Sequence, residues 1–419
     1  MSYSDDVNLA DQAWLNESAA RRVINALEEG PETVRFVGGC VRDAVRGDRV
    51  KDVDLATVHP PSKIIELLEA CGVKAVPTGI DHGTITAVSD GKPFEVTTLR
   101  TDVRTFGRRA EVVFIEDWLK DAERRDFTMN AIYADPDGRV FDPVAGVADA
   151  RAGLVRFVGD PDQRIQEDYL RILRFFRFNA RFGYRHLDAQ SLAACVCNKA
   201  GLSQLSGERI QSELFQLLAT DAASPVLREM DRVGVLADVI PKVEARQLDV
   251  FDGLIAVERD CSLDLDLVLR LAVLLPGQQD ALKNVAQRLK FSNEVRDRLL
   301  LIVRSSPINV EEWHDERQMR RILYRLGQVM SRDILLLRWA EDYDPKHKAR
   351  WHEFLYRIKA WSKPILKIKA KDVMRLGVEA GPDVGRALTE LEDWWIDQDF
   401  PDNRTEQLNQ LKRIVLPDN

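Results

Sequence analysis

Apolar residues in the first third of the chain come in short, β-branched or alternating runs; from about residue 161 onward they recur at helical spacing. Between 33 and 145, "VRFVG", "DVDLATV", "GTITAV" and "PFEVTTLR" read as strands, and "PPSKIIELLEAC" and "RRDFTMNAIY" as helices. Pro60 and Pro61 stand where the first turn of a helix tolerates proline. Residues 11–29, with Trp14, Val23 and Leu27, predict a leading helix, after which "TVRFVGG" runs as a strand into a glycine turn. The pattern as a whole predicts a head of mixed strands and helices followed by an all-α remainder.

Length and charge narrow this picture. A chain of 419 residues, 45% of them hydrophobic, is too long for one core and divides into several domains. Its net charge of -8 excludes a uniformly basic surface, so any nucleic-acid site must be regional. Five cysteines, odd in number and without a C-x-x-C, point to reduced thiols and argue against zinc. The opening "MSYSDDVNLADQAW" is polar and acidic, and nowhere do 18 apolar residues follow one another. The expectation is a cytoplasmic protein with no membrane partner.

Chemistry concentrates in "FVGGCVRDAVRGDRVKDVDLATV", residues 36–58. On a strand, residues i and i+2 face the same way, so Asp52 and Asp54 project together and repel unless a cation lies between them. Hard oxygen donors beside phosphates suit Mg2+. Gly38 and Gly39 let backbone approach a phosphate, and the helix that follows offers its first amides and Arg42. Glu95, on "PFEVTTLR", is a third carboxylate able to bridge metals or take a hydroxyl proton. A D-x-D or a G-G alone is commonplace; strand, G-G, helix, D-x-D strand and a later Glu in that order is specific.

Two further stretches carry charge. "DPDQRIQEDYLRILRFFRFNARFGYR" opens with Asp160 before Pro161, a helix start, and places Asp168, Arg171, Arg174 and Arg177 as neighbours along one helix. Residues 164–185 hold six arginines against two acids, among Phe175, Phe176, Phe178 and Phe182. Arginines so placed need anionic or planar partners, and a nucleotide is both. From Pro345 to Lys371 nine Lys or Arg face one acid, interleaved with Trp351, Phe354, Tyr356 and Trp361. That is either an RNA-backbone patch, with Lys346, Lys348 and Lys359 as contacts, or a basic amphipathic helix whose aromatics are core.

"RFVGGCVRDAVRGDRVKDVDLAT" with "ERRDFTMNAIYADPDGRVFDPVAG" resembles the class II tRNA nucleotidyltransferase (CCA-adding) and bacterial poly(A) polymerase family of the DNA polymerase β superfamily, from about residue 33 to 220. The resemblance implies an α+β fold: an N-terminal helix (1–32), a polymerase-β-like nucleotidyltransferase head (33–150), then an all-α neck (151–220), body (221–340) and tRNA-binding tail (341–419). It implies that Gly39 and Arg42 bind nucleotide phosphate, that Asp52 and Asp54 hold the metals, and that Arg125 holds the triphosphate. The E-D-x-x-R segment makes Asp168 and Arg171 a template for the base, with Arg174 and Arg177 in support. A carboxylate accepts from the amino group of cytosine or adenine while guanidinium donates to the adjacent ring nitrogen, a pattern that guanine and uracil reverse.

The same resemblance makes residues 100–112, a polar loop with Gly107, the flexible loop tied to the switch from C to A addition, and gives Glu208 and Arg209 a buttressing role. The implied activity is addition of C, C and A to tRNA from CTP and ATP. Poly(A) polymerase and CC-only or A-only addition are the rivals within the family, and a noncatalytic RNA-binding protein the rival outside it. "GIDHGTITAV" looks like CCA-adding relatives, and no phosphatase activity is expected.

Overall fold

Strand pairing begins earlier than the hydrophobic pattern indicates. In the computed structural model, which describes residues 3–106, 109–183, 187–241, 243–275, 277–305 and 313–416, Tyr3–Asn8 form strand β1. Only Ser18–Leu27, not the whole of 11–29, form helix α1. Trp14 lies before that helix, its ring edge-on to Phe36 with centroids 4.9 Å apart. The remaining strands are β2 (Val34–Val37), β3 (Asp54–Thr57), β4 (Lys74–Gly79), β5 (Thr84–Ser89), β6 (Lys92–Thr98), β7 (Arg100–Phe106), β8 (Arg109–Phe114), β9 (Tyr133–Ala134) and β10 (Arg139–Phe141). Between and after them come α2 (Gly39–Arg46), α3 (Pro61–Ala70), α4 (Trp118–Glu123), α5 (Gly146–Ala152), α6 (Pro161–Glu167), α7 (Leu170–Phe182), α8 (Ala189–Asn198) and α9 (Gly207–Leu218).

Eight strands form one mixed sheet in the order β1-β10-β9-β2-β3-β6-β5-β4, and β7 and β8 make a separate hairpin. The hairpin replaces the expected loop at 100–112; Gly107 lies outside the described residues. Alternation decides which face each strand buries. Ile85, Ala87 and Val96 are fully buried beneath α1 and α3, and Phe36 and Leu55 are buried in β2 and β3, each large side chain contributing about 1.5–3 kcal/mol. On the other face Thr84, Thr86, Glu95 and Thr97 are half-buried or exposed, and the cleft described below opens there.

Two local expectations are corrected. "RRDFTMNAIY" is not a helix: α4 ends at Glu123, Thr128–Asn130 make a single 3₁₀ turn, and Tyr133 already belongs to β9. Asp126 accepts the Phe127 amide (2.8 Å) and the Asn130 side chain (3.0 Å), while Phe127, Ile132 and Tyr133 are buried, so tertiary packing overrides local propensity. The helix expected through Asp168 is two helices, because Asp168 itself is extended (φ −156°, ψ 103°) and caps Leu170 N–H with its own carboxylate at 3.1 Å. Helical neighbourhood therefore holds for Arg171, Arg174 and Arg177 but not for Asp168.

The chain forms two compact units, Met1–Val243 with Gln287–Phe291, and Glu244–Ala286 with Ser292–Asn419. The second is all helical among the described residues, with long helices at Ala245–Asp260, Lys348–Ala360 and Pro382–Asp397 and a helical stretch at Glu316–Glu341 that is broken by a kink at Gly327 (φ 79°, ψ 166°). Its centre answers the question about the basic tail segment in part. Trp351 and Phe354 are core, Trp351 stacked on Trp339 at 6.3 Å, whereas Tyr356 is 72% exposed. Several of the nine cations are neutralised internally, by Lys348–Asp260 (3.1 Å), Arg350–Asp342 (3.0 Å) and Lys367–Asp402 (2.8 Å). Lys346 and Lys359 remain exposed.

Gly183, at the end of α7, meets the backbone of Gly153: a Cβ there would lie 1.5 Å from the Gly153 carbonyl oxygen. Gly183→Ala is expected to lower the thermal unfolding midpoint by the equivalent of about 1–3 kcal/mol. Gly30→Ala, where nothing lies within 4 Å, is expected to leave it unchanged or slightly raised.

Candidate active site

The first unit holds a cleft of about 510 Å³ whose walls come from β2, α2, β3, β5, β6, β7, the segment 124–130, Asp168 and α7. Gly38 sets its floor. With φ +71° the chain turns out of β2 straight into α2, and Gly38 and Gly39 line the opening beside Arg125 and Asn130. Arg42 is 5% exposed, donating from Nε to Asp43 (2.8 Å) and from Nη1 to Asn130 Oδ1 (2.6 Å), with its guanidinium 4.5 Å over the Phe182 ring. Burial pulls its pKa below the usual arginine value although Asp43 opposes this.

Asp54 is the first residue of β3 and stands directly across a parallel pairing from Glu95 on β6. Both line the cleft. Asp52 does not share the strand: pairing starts at Asp54, and Asp52 is exposed just ahead of it and outside the lining. Its charge is still felt. Burial first, then Glu95 and then Asp52, push the Asp54 carboxyl up to about 6 against the pull of Arg125. Two hard carboxylates in parallel register whose charges disfavour each other are a donor set that fits a divalent cation. No three His, Cys, Asp or Glu side chains gather as a metal cluster among the described residues.

The cleft is also lined by arginines, several of them tethered to protein acids. Arg125 Nη2 and Nε donate to Asp121 Oδ2 (3.0 and 3.3 Å), Nε also reaching the Tyr133 hydroxyl (3.1 Å). Arg124 takes the other oxygen of Asp121 at 2.6 Å. Burial would raise the Asp121 carboxyl, but Arg125 and Arg124 hold it far below the carboxylate range. Arg174 Nε donates to Asp126 at 2.7 Å, and Asp126, which burial would raise, is held down at about 2 by Arg174 and Asn130. The protein thus supplies partners that the sequence left to a nucleotide.

Asp168 and Arg171 line the same cleft. Arg209 of α9 grips Asp168 through two bonds, Nη1 to Oδ1 at 3.0 Å and Nη2 to Oδ2 at 2.7 Å. Arg171 donates to Glu167 (2.6 Å) and to the carbonyls of Arg164 (2.8 Å) and Arg124 (3.1 Å). A guanidinium has five donors, so Arg171 keeps Nε and part of Nη2 for another group. Arg177 is not brought to the cleft; it pairs with Glu213 at 2.7 Å and with Gln216. Burial raises the Glu213 carboxyl, with Arg177 and Arg174 opposing.

The sequence reading therefore found much of the cleft but missed part of its wall. Arg124, Asp126 and Asn130 line it together with Thr84, Thr97 and Arg100. Arg124 and Asp126 flank Arg125 in "ERRDFTMN", a signal that was visible; Thr84 and Thr97 carried none. Arg185, counted with the basic helix, lies outside the described residues.

Residues 34–156 match the family described as "Poly A polymerase head domain", and residues 186–246 match "Probable RNA and SrmB- binding site of polymerase A". The mitochondrial CCA tRNA nucleotidyltransferase 1 of Mus musculus is 34% identical over 388 residues, 91% of this chain and 86% of that protein. The CCA-adding enzyme of Levilactobacillus brevis is 28% identical over 89% of this chain and 92% of its own length. Among solved structures, the Bacillus stearothermophilus CCA-adding enzyme in complex with CTP superposes with a TM-score of 0.78 at 30% identity, covering 94% of this chain and 96% of that one. With the cleft and the glycine turn in place, these likenesses identify the chain as a member of the class II tRNA nucleotidyltransferase (CCA-adding enzyme) and bacterial poly(A) polymerase family.

Proposed function

We infer that this chain is a CCA tRNA nucleotidyltransferase, adding C, C and A to the 3′ end of tRNA from CTP and ATP with no nucleic-acid template. One observation carries the inference. A single cleft is lined by the carboxylate pair Asp54 and Glu95, by Arg42, Arg124, Arg125 and Arg174, and by the Asp168–Arg171 pair. That is the set of groups needed to hold a triphosphate, its base and its reacting phosphate.

The residues divide the work as follows. The Gly38–Gly39 turn, Arg42 and Arg125 bind and orient the triphosphate, their charges balancing its own. Asp168 accepts from the amino group of cytosine or adenine, and Arg171 donates to the neighbouring ring nitrogen. Arg209 holds the plane of the Asp168 carboxylate, leaving a lone pair of Oδ2 for the base. Arg174 borders the same space, while Arg177 acts on it only through Glu213. Glu95 is placed to take the proton from the attacking 3′ hydroxyl, which displaces pyrophosphate from the α-phosphate. Asp52 and Asp54 would hold Mg2+, which when bound lowers the cost of negative charge on the attacking and leaving oxygens.

The head at 33–150 carries the chemistry in this reading, the neck at 151–220 reads the base, and the helices of 221–340 and 341–419 serve as body and tRNA-binding tail. Lys346, Lys348 and Lys359 are the tail contacts we assign to the RNA backbone. We place the protein in the cytoplasm: its five cysteines are unpaired, and among the described residues no helix is long and apolar enough to cross a membrane.

The test incubates the protein with Mg2+, tRNA ending at the discriminator base, and each NTP alone or in pairs. Stepwise growth by C, C and A is expected. A long A ladder would select poly(A) polymerase, arrest after CC or addition of A alone a partial enzyme, and no extension a noncatalytic RNA binder. Asp54→Asn is expected to lower kcat by about 10²-fold or more in the same assay, with the fold kept by circular dichroism. Asp168→Ala or Arg171→Ala is expected to relax discrimination against UTP and GTP by about 5- to 150-fold, read as the ratio of kcat/KM values. Neutralising Lys346, Lys348 and Lys359 together is expected to weaken tRNA binding and reduce its log–log salt slope by roughly 2 to 3; unchanged binding removes the tail assignment.

A further inference from the structure

The nucleotide accounts for Asp168 and Asp54, but the wall beside Glu95 has no assigned work. It is built by β5 and β6. Glu95 and Thr97 are two residues apart on β6, on the same face and roughly 6.7 Å apart along the strand. Thr84 of β5 stands directly opposite Thr97, their hydroxyl oxygens 3.2 Å apart. Both are half-buried and line the cleft. A hydroxyl carries one donor and two lone pairs, so the bond between Thr84 and Thr97 leaves this pair with a donor and spare lone pairs facing the cavity.

With the base assigned to Asp168 and the acceptor's 3′ hydroxyl to Glu95, the hydroxyls that line the cleft on Glu95's own strand and its neighbour are those of Thr97 and Thr84. In the acceptor's last ribose the carbon next to the 3′ carbon bears the 2′ hydroxyl, and Thr97 with Thr84 stands on the same strand face as Glu95 to receive it. We propose that the Thr84–Thr97 hydroxyl pair binds the 2′ hydroxyl of the acceptor's terminal ribose, fixing the 3′ hydroxyl at Glu95 and selecting an RNA end over a DNA end. The 2′ hydroxyl is the group by which a protein tells the two apart. This inference rests on the nucleotidyl-transfer reading above. Its rival is a cross-strand threonine pair that only stabilises the sheet.

The experiment uses the full chain, ATP and tRNA lacking only its final A, ending in either a ribo- or a 2′-deoxy-cytidine, and reads the ratio of the two kcat/KM values. The wild type is expected to favour the ribose end by about 3- to 10-fold, the worth of one net hydrogen bond. Thr97→Val keeps a β-branched side chain in the strand and is expected to bring the ratio to about 1, with KM for ATP unmoved; Thr97→Ser is expected to restore the preference, which a merely structural pair would not require. A wild-type ratio near 1, or a wild-type preference retained in both Thr97→Val and Thr84→Val, overturns the proposal. Failure of the wild type to extend even the ribose-ended tRNA overturns the transfer reading itself, and this inference with it.

Discussion

Asp54 and Glu95 face each other across a parallel strand pairing at the mouth of a half-buried cleft, and the rest of the head is arranged around the cost of keeping them there. Burial first, and then the repulsion of Glu95 and Asp52, push the Asp54 carboxyl up to about 6. Sheet pairing enforces the proximity, because β3 and β6 cannot shift register without moving every alternate side chain to the wrong face. The sheet has buried Val96 and its cross-strand partner Ile85, both at 0% exposure, and that burial resists the shift. A site poised in this way gains from a cation and from a phosphate that brings one.

The arginines of the cleft are held by the opposite rule. Several are paired with an acid before any ligand arrives: Arg125 and Arg124 with Asp121, Arg174 with Asp126, Arg42 with Asp43. Such buried pairs add little net stability, yet removing one partner costs about 3–5 kcal/mol because a lone charge is left behind. Their value is geometric. The guanidiniums are already oriented when negative charge develops in the cleft, so little reorganisation remains at the moment of reaction. Asp168 follows the same logic, its plane fixed by two bonds from Arg209.

The chain's own order of residues carried the head, its glycine turn, the strand position of Asp54, the neighbouring strand of Glu95 and the switch to helix after Pro161, because short-range periodicity and backbone preference decide those. It also pointed to Arg42, Asp168 and Arg171, whose residue types are tied to phosphate and base chemistry, while Arg125 came from the family resemblance. Other features depended on partners distant in sequence. Asp52 falls off the strand because β6 offers no pairing beyond Asp54, and "RRDFTMNAIY" cannot stay helical when Asp126 caps it and Tyr133 is drawn into the sheet.

The break at Asp168, the diversion of Arg177 to Glu213, the burial of Trp351 and Phe354, and the meeting of Thr84 with Thr97 likewise belong to tertiary structure alone. Periodicity says which face of an element is apolar. Which buried acid claims which arginine, and which aromatic finds a core instead of a ligand, is settled by packing between segments tens of residues apart, where desolvation makes each unpaired charge too costly to leave.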